Sequence, residues 1–158
     1  MPDHPTNTAP LEGPVHGSPR PETLTEGGEH IIRIESEADI VNARQMGRTL
    51  GAEVGFRPGE LALIATAISE LARNIVLYAG RGEIALLQIA EGSRRGLMIA
   101  ARDQGPGIQD LTQAMRDGFS TSGGLGLGLP GVKRLMDEFG ITSAPGRGTT
   151  VTGKKWKR

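Results

Sequence analysis

Apolar residues recur along this chain in two rhythms, and the change of rhythm marks its elements. From Leu61 onward they fall at Leu61, Ile64, Ala65, Ile68, Leu71, Ala72, Ile75 and Ala79, the spacing of a helix with one buried face. Pro58 stands where the first turn of that helix tolerates it, and Gly80 stops it. An earlier stretch repeats Ile40, Ala43, Gly47, Leu50 and Val54 as far as Gly55, with Asp39 placed to cap a first helix. Short β-branched or continuous apolar runs read as strands over His30–Ile34, Glu83–Ala90 and Gly96–Arg102, the last two joined as a hairpin by Glu91-Gly92-Ser93-Arg94-Arg95. A polar, glycine-bearing region from Asp103 to Gly128 follows, with a short helix over Leu111–Met115. The pattern then predicts a last helix over Leu129–Phe139, with Val132, Leu135, Met136 and Phe139 on one face. A closing hairpin pairs Ile141–Ala144 with Thr149–Trp156 around Pro145-Gly146-Arg147-Gly148. This order predicts an α/β fold of the α+β two-layer type, helices on one face of a mixed, mainly antiparallel sheet. There is no internal repeat.

Composition changes the picture at the N-terminus. Residues Met1 to Gly28 hold six of the ten prolines and almost no aliphatic side chains, so they cannot bury enough apolar surface to offset their ordering entropy. Residues 1–28 therefore read as a disordered tail and 29–158 as one domain. His4 and His16 lie in that tail and read as solvated. Eighteen basic against eighteen acidic residues leave no net field to attract nucleic acid, and five aromatic residues are too few for a base-stacking platform. The chain has no cysteine, which excludes disulfides and thiolate metal sites. No apolar run approaches the roughly 18 residues of a membrane span, and the N-terminus has no secretion signal. A cytoplasmic protein without membrane or nucleic-acid partners is expected.

Three stretches carry chemistry. Glu70 and Asn74 stand one turn apart on the flank of the long helix's apolar stripe, where a carboxylate and a carboxamide can supply a base and an oxygen ligand for a hard metal. Alone, the pair reads more readily as solvated surface. Asp103-Gln104-Gly105-Pro106-Gly107 ends a core strand, where a fixed carboxylate can accept a hydrogen bond from an amino group such as that of adenine. Alone, it also reads as a turn with a capping aspartate. Gly123-Gly124-Leu125-Gly126-Leu127-Gly128 leads into the last helix, and its backbone N–H groups with the helix dipole make an anion site suited to phosphates. It lacks the Gly-Lys-Ser/Thr of a Walker loop and the spacing of a Rossmann fingerprint.

Taken together and in this order, these stretches resemble the N, G1 and G2 boxes of the GHKL superfamily, the Bergerat-fold ATPases and kinases. Glu70-x-x-x-Asn74 resembles the N box, Asp103-x-Gly105-x-Gly107 the G1 box, Gly124-x-Gly126-x-Gly128 the G2 box, and Gly148-Thr149 the threonine-bearing final strand. The resemblance spans roughly Ile31 to Trp156. It implies that Asn74 ligates Mg²⁺, that Asp103 binds the adenine amino group of ATP, and that Gly105 and Gly107 shape the adenine pocket. Gly123, Gly124, Leu125, Gly126, Leu127 and Gly128 would wrap the phosphates, Thr149 would support the adenine contact, and Glu70 would be the base. The segment Ile108 to Ser122 would be a lid over ATP.

Longer runs are similar to the RsbT-type switch serine/threonine kinases of the stressosome: Thr66 to Ile75, Leu77 to Gly80, Asp117 to Gly126 and Leu129 to Phe139. That likeness implies phosphorylation of STAS-domain proteins of the RsbS and RsbR kind. It also implies activation of a PP2C-type, RsbU-like phosphatase on release, with a homodimer left open. The alternative is an anti-sigma-type GHKL protein whose main output is sequestering a transcription factor. A histidine kinase is disfavoured, because His4, His16 and His30 lie in the tail or at a strand start.

Overall fold

The structure is a computed structural model, and it describes residues 24–25, 28–108, 114–115 and 128–158. Among these, six strands form one sheet: β1 (Leu24–Thr25), β2 (His30–Ile34), β3 (Gly82–Glu91), β4 (Arg94–Asp103), β5 (Glu138–Ser143) and β6 (Thr149–Trp156). Three helices accompany it: α1 (Glu37–Val54), α2 (Pro58–Asn74) and α3 (Gly128–Leu135). β3, β4, β6 and β5 neighbour one another in that order, and β1 and β2 both pair along the other side of β3. Every pairing among the described residues is antiparallel, in keeping with the mainly antiparallel sheet expected. The two-residue connection Gly92-Ser93 closes β3 onto β4, with Gly92 at φ +60°, a conformation that favours glycine.

Burial explains the layering. Ile64, Ala67, Ile68, Leu71, Ala72 and Ile75 of the long helix meet Ile84 and Leu86 of β3, Leu97 and Ile99 of β4 and Val151 of β6 in one core. α1 adds Ile40, Ala43 and Leu50, and α3 adds Leu129 and Val132. Two glycines set the spacing between α1 and α2. A Cβ on Gly47 would overlap the Ile68 side chain, and one on Gly51 would lie 2.7 Å from Leu61 Cδ2. A second, smaller cluster of Leu87, Ile89 and Trp156 sits on the other face of the sheet, with the Arg94 guanidinium 4.3 Å from the Trp156 ring centroid. Among the described residues one span, Pro58–Ala79, passes as long and apolar enough to cross a membrane, at a hydropathy of 1.4. It is the core helix of the domain, and it carries Glu60, Glu70 and Arg73.

Several element ends differ from those the pattern predicts. The cap of α1 is Ser36; Asp39 is the third helical residue, and its carboxylate reaches back to the Ser36 N–H at 3.1 Å and the Glu35 N–H at 2.9 Å. The long helix stops being α-helical at Asn74 and continues as a π turn over Ile75–Ala79. The last helix ends at Leu135 rather than Phe139. Asp137 N–H already donates to Lys154 O at 2.8 Å, so the edge of β6 captures the chain there, and Phe139 reaches the same core from β5. The period of Val132, Met136 and Phe139 fits a helix, but sheet pairing overrides it. Within the expected tail, Leu24 and Thr25 pair with Ala90 and Ile89. His4, His16 and most of the short helix expected over Leu111–Met115 lie outside the described residues.

Asp137 ties the same junction to β6 a second time through its side chain, whose carboxylate accepts the Trp156 N–H. Burial pushes the Asp137 carboxyl pKa up, but the Trp156 N–H at 2.7 Å, the Arg158 guanidinium at 3.0 Å and the charge of Lys155 outweigh it and hold the pKa below its ordinary 3.8. A depressed carboxyl pKa stabilises the folded state above the unfolded value, and that contribution vanishes as pH falls through the folded value. Thermal melts of the parent and of Asp137→Asn should therefore differ most at neutral pH and converge as pH falls below about 3.8.

Candidate active site at the end of the core helix

The bonding of the long helix changes at its functional end. Gly80 N–H donates to Ile75 O at 2.9 Å, an i to i+5 bond that widens the last turn. Such single π turns recur at functional sites. Here the turn lays Ile75 over β3 and Ala79 over the loop after β4. A Cβ on Gly82 would lie 2.8 Å from Ile75 Cγ2, and one on Gly105 would lie 2.7 Å from Ala79 Cβ. Both glycines are therefore required for the helix end to approach.

Asp103 closes β4 with Gly82 of β3 on one side and Thr149 of β6 on the other. Its Oδ1 accepts the Gly105 N–H at 2.8 Å, which fixes the carboxylate and leaves the second oxygen as a spare acceptor. The loop is then stitched to the closing hairpin. Ile108 N–H donates to Ser143 Oγ at 2.8 Å, Ser143 Oγ lies 2.8 Å from Thr149 Oγ1, and Gly146 N–H donates to Pro106 O at 2.7 Å. Gly107 and Gly148 both take φ +78°, and a Cβ on either would overlap backbone, the Ala144 carbonyl for Gly107 and that of Asp103 for Gly148. These glycines serve close contact of chain with chain, Gly107 against Ala144 and Gly148 against Asp103.

Glu70 is more deeply placed than its flank position suggested. It is 8% exposed, the one buried charged residue among those described, and its Oε1 pairs with Arg73 Nη1 at 3.1 Å. Asn74 is half-buried one turn further on. Gly128 opens α3 at φ +65°, and α3 packs on α2 through Leu129 and Val132. Gly123, Gly124, Leu125, Gly126 and Leu127 lie outside the described residues. The structure thus brings Asp103, Gly105, Gly107 and Thr149 together beneath the end of the helix that carries Glu70 and Asn74. Sequence reasoning missed Arg73 as the partner of Glu70, and Gly82 and Ser143 as parts of the frame. Ser143 was within reach, since the expected closing hairpin registers it opposite Thr149.

This fold and this constellation define a class. Residues 59–157 match the family described as histidine kinase-, DNA gyrase B-, and HSP90-like ATPase, and the chain belongs to it. Over 130 residues, 82% of this chain and 98% of the relative, it is 59% identical to "Serine/threonine-protein kinase RsbT" of Bacillus subtilis strain 168. It is also 31% identical over 118 residues to "Anti-sigma F factor" of Thermoanaerobacter sp. strain X514, covering 72% of this chain and 82% of that one. Among solved structures, the RsbU and RsbW domains of Rv1364c from Mycobacterium tuberculosis share the fold at a TM-score of 0.58 and 21% identity. That match covers 84% of this chain and 33% of the other.

The glycine geometry gives a test. Gly146 takes φ +75° with nothing near its missing Cβ, whereas Gly107 has the same conformation and no room. A left-handed non-glycine residue costs about 1–2 kcal/mol, and each kcal/mol shifts the melting temperature of a domain this size by about 2–4 °C. Gly146→Ala should lower the melting temperature by roughly 2–8 °C on these figures. Gly107→Ala should lower it further and weaken ATP binding, which Gly146→Ala should leave within twofold.

Proposed function

We propose that this chain is an ATP-dependent serine/threonine protein kinase of the RsbT type, with Mg²⁺ entering together with the nucleotide. Its substrates would be STAS-domain proteins of the RsbS and RsbR kind, and in its released form it would activate a PP2C-type phosphatase of the RsbU kind, in the cytoplasm. The observation that carries this reading is Glu70, a buried carboxylate one turn before Asn74, on a chain alike to a named serine/threonine kinase along nearly that relative's whole length.

The donor chemistry fits the nucleotide and the metal. Asp103 has one oxygen tied to Gly105 N–H and one spare, which suits the adenine amino group. Asn74 offers a neutral carboxamide oxygen, and among the described residues no cluster of His, Asp or Glu could cage a cation. Mg²⁺ keeps several waters and takes its remaining oxygens from substrate phosphates, so one protein ligand suffices. When bound, the metal neutralises charge developing on the phosphates.

The chain's own part in the transfer is positioning and a base. Glu70 accepts the proton of the acceptor serine or threonine hydroxyl while that oxygen bonds to the γ-phosphorus. The bond from phosphorus to the β–γ bridging oxygen breaks, and ADP leaves. A positioned base typically contributes about 10²- to 10⁴-fold. Gly128 and the glycines before it are assigned to the phosphates, and Thr149, held by Ser143, to the frame around Asp103.

Two substitutions test the assignments. Glu70→Gln keeps size and hydrogen-bonding capacity but accepts no proton, so single-turnover transfer to an acceptor protein should fall by about two to four orders of magnitude, with ATP affinity within a few-fold. A parental rate would end the catalytic role of Glu70. Asp103→Asn keeps the oxygen that Gly105 N–H needs and turns the amide donor toward the adenine amino group, a mispairing of about 1–3 kcal/mol. ATP affinity measured by calorimetry should fall about tenfold or more on that figure. The second reading, a protein that sequesters a transcription factor, draws on the relatives named anti-sigma F factor. It expects Glu70→Gln to keep full inhibitory output, and binding to a sigma factor in place of a STAS-domain protein.

A further inference from the structure

The face of the sheet turned away from the helices has an apolar cluster of its own. Successive residues of a strand point to opposite faces. Ile84, Leu86, Leu97 and Ile99 point into the core, so Ile31 of β2, Leu87 and Ile89 of β3 and Met98 of β4 share the outer face. Trp156 lies against it from β6. The register sets Ile89, Gly96 and Trp156 side by side, and a Cβ on Gly96 would stand 2.8 Å from Trp156 Cε3. Leu87, Ile89 and Trp156 are 9%, 2% and 5% exposed, although among the described residues no helix contributes to their cluster. Ile31, on the same face, is 55% exposed. Burial is thus confined to one end of the face. β1 enters at that end, with Thr25 paired to Ile89 in the row of Gly96 and Trp156.

We propose that the outer face is the docking site of the chain's own N-terminal segment, residues 1–23, and that Pro19-Arg20-Pro21-Glu22-Thr23 crosses it over Leu87, Ile89 and Trp156. The reach fits. From β1 across β3 and β4 to β6 are three strand spacings, about 14 Å at roughly 4.8 Å each. A polyproline II chain advances about 3.1 Å per residue, so about five residues lead from β1 to the indole, and Pro19 stands five before Leu24. The composition fits as well. The segment is poor in aliphatic side chains but holds six of the ten prolines, whose rings are apolar and whose φ is fixed before docking. Less backbone freedom is lost when such a segment is ordered, and proline-rich segments dock on aromatic-lined surfaces for that reason. A second copy of the chain is the rival occupant. It is disfavoured because Leu87 is buried within a single chain. The segment therefore shields an apolar face that would otherwise attract another molecule. It does so on the side of the sheet opposite α2, away from Glu70 and Asn74.

The chain supplies its own reporter, for Trp156 is its one tryptophan and it has no cysteine to compete for a label. In the full-length Ser18→Cys variant, a nitroxide on the new thiol should quench Trp156 emission by at least half relative to a diamagnetic analogue of the label. The quenching should be the same over a hundredfold dilution and vanish in denaturant. Quenching below a tenth overturns the docking site. Quenching that fades on dilution, with a dimer in sedimentation, assigns the face to a second copy and overturns the proposal equally. The full-length double variant Pro19→Asp, Pro21→Asp places charge in the crossing stretch without altering the domain. Its Trp156 should be quenched by acrylamide at least twofold more readily than the parent's, with ATP affinity within twofold. Parental acrylamide quenching in that variant overturns the assignment of the crossing stretch.

Discussion

Helix α2 must bury Ile64, Ile68, Leu71 and Ile75 at once, and every residue of the site is placed by that burial. Fully burying one such side chain is worth about 1.5–3 kcal/mol, so the four contribute roughly 6–12 kcal/mol on that figure, comparable with the whole stability of a domain, about 5–15 kcal/mol. The helix therefore cannot rotate to suit a ligand. Glu70 and Asn74 are carried at fixed angles from the stripe, one turn apart. The sheet beneath is held equally firmly, because Asp103 is registered between Gly82 and Thr149 by pairings on both sides. Fixed helix and fixed strand end meet at the π turn, where the regular α-helical bonding of the long helix gives way.

The same constraint shapes the outer side of α2. Gly47 and Gly51 bring α1 so close that Ile68 and Leu61 fill the space of their missing side chains. Elsewhere between the two helices a groove is lined by Arg44, Gln45 and Arg48 of α1 and by Thr66, Ser69, Glu70 and Arg73 of α2, with Ala62 and Ala65. One helix thus faces the core with its apolar stripe, the loop after β4 with its end, and the groove with Glu70. The smaller cluster around Trp156 stabilises the far end of the sheet and takes no part in this arrangement. Its Nε1–H donates to Glu138 Oε2 at 2.7 Å, which fixes the edge strand β5.

Much of this was legible in the sequence where local pattern and tertiary packing agree. His30–Ile34 and Thr149–Trp156 begin and end where their β-branched runs do, and Pro58 starts α2 as its fixed φ dictates. Legibility fails where a long-range partner decides. Phe139 continues a helical period but is claimed by the edge of β6. Asp39 has the chemistry of a cap, yet Ser36 and Asp39 share the work as a capping box. The glycines of the Asp103 loop announce unusual backbone, but only the fold shows that Ala79, Ala144 and Asp103 itself occupy the space they free. Arg73 is next in sequence to Asn74 and gave no signal of its own, because an i, i+3 pairing with Glu70 depends on the rotamers that the groove permits.

The strength of that pairing decides what it can do. A fully buried ion pair would cost about 3–5 kcal/mol to break by losing one partner, too much for a reversible step at a substrate site. An exposed pair is worth about 0.2–1 kcal/mol. The Arg73 side chain is 40% exposed and that of Glu70 11%, so the pair lies between these limits, nearer the weaker because the guanidinium stays accessible to water. One new charge-assisted hydrogen bond contributes about 1.5–3 kcal/mol, enough to draw Arg73 off.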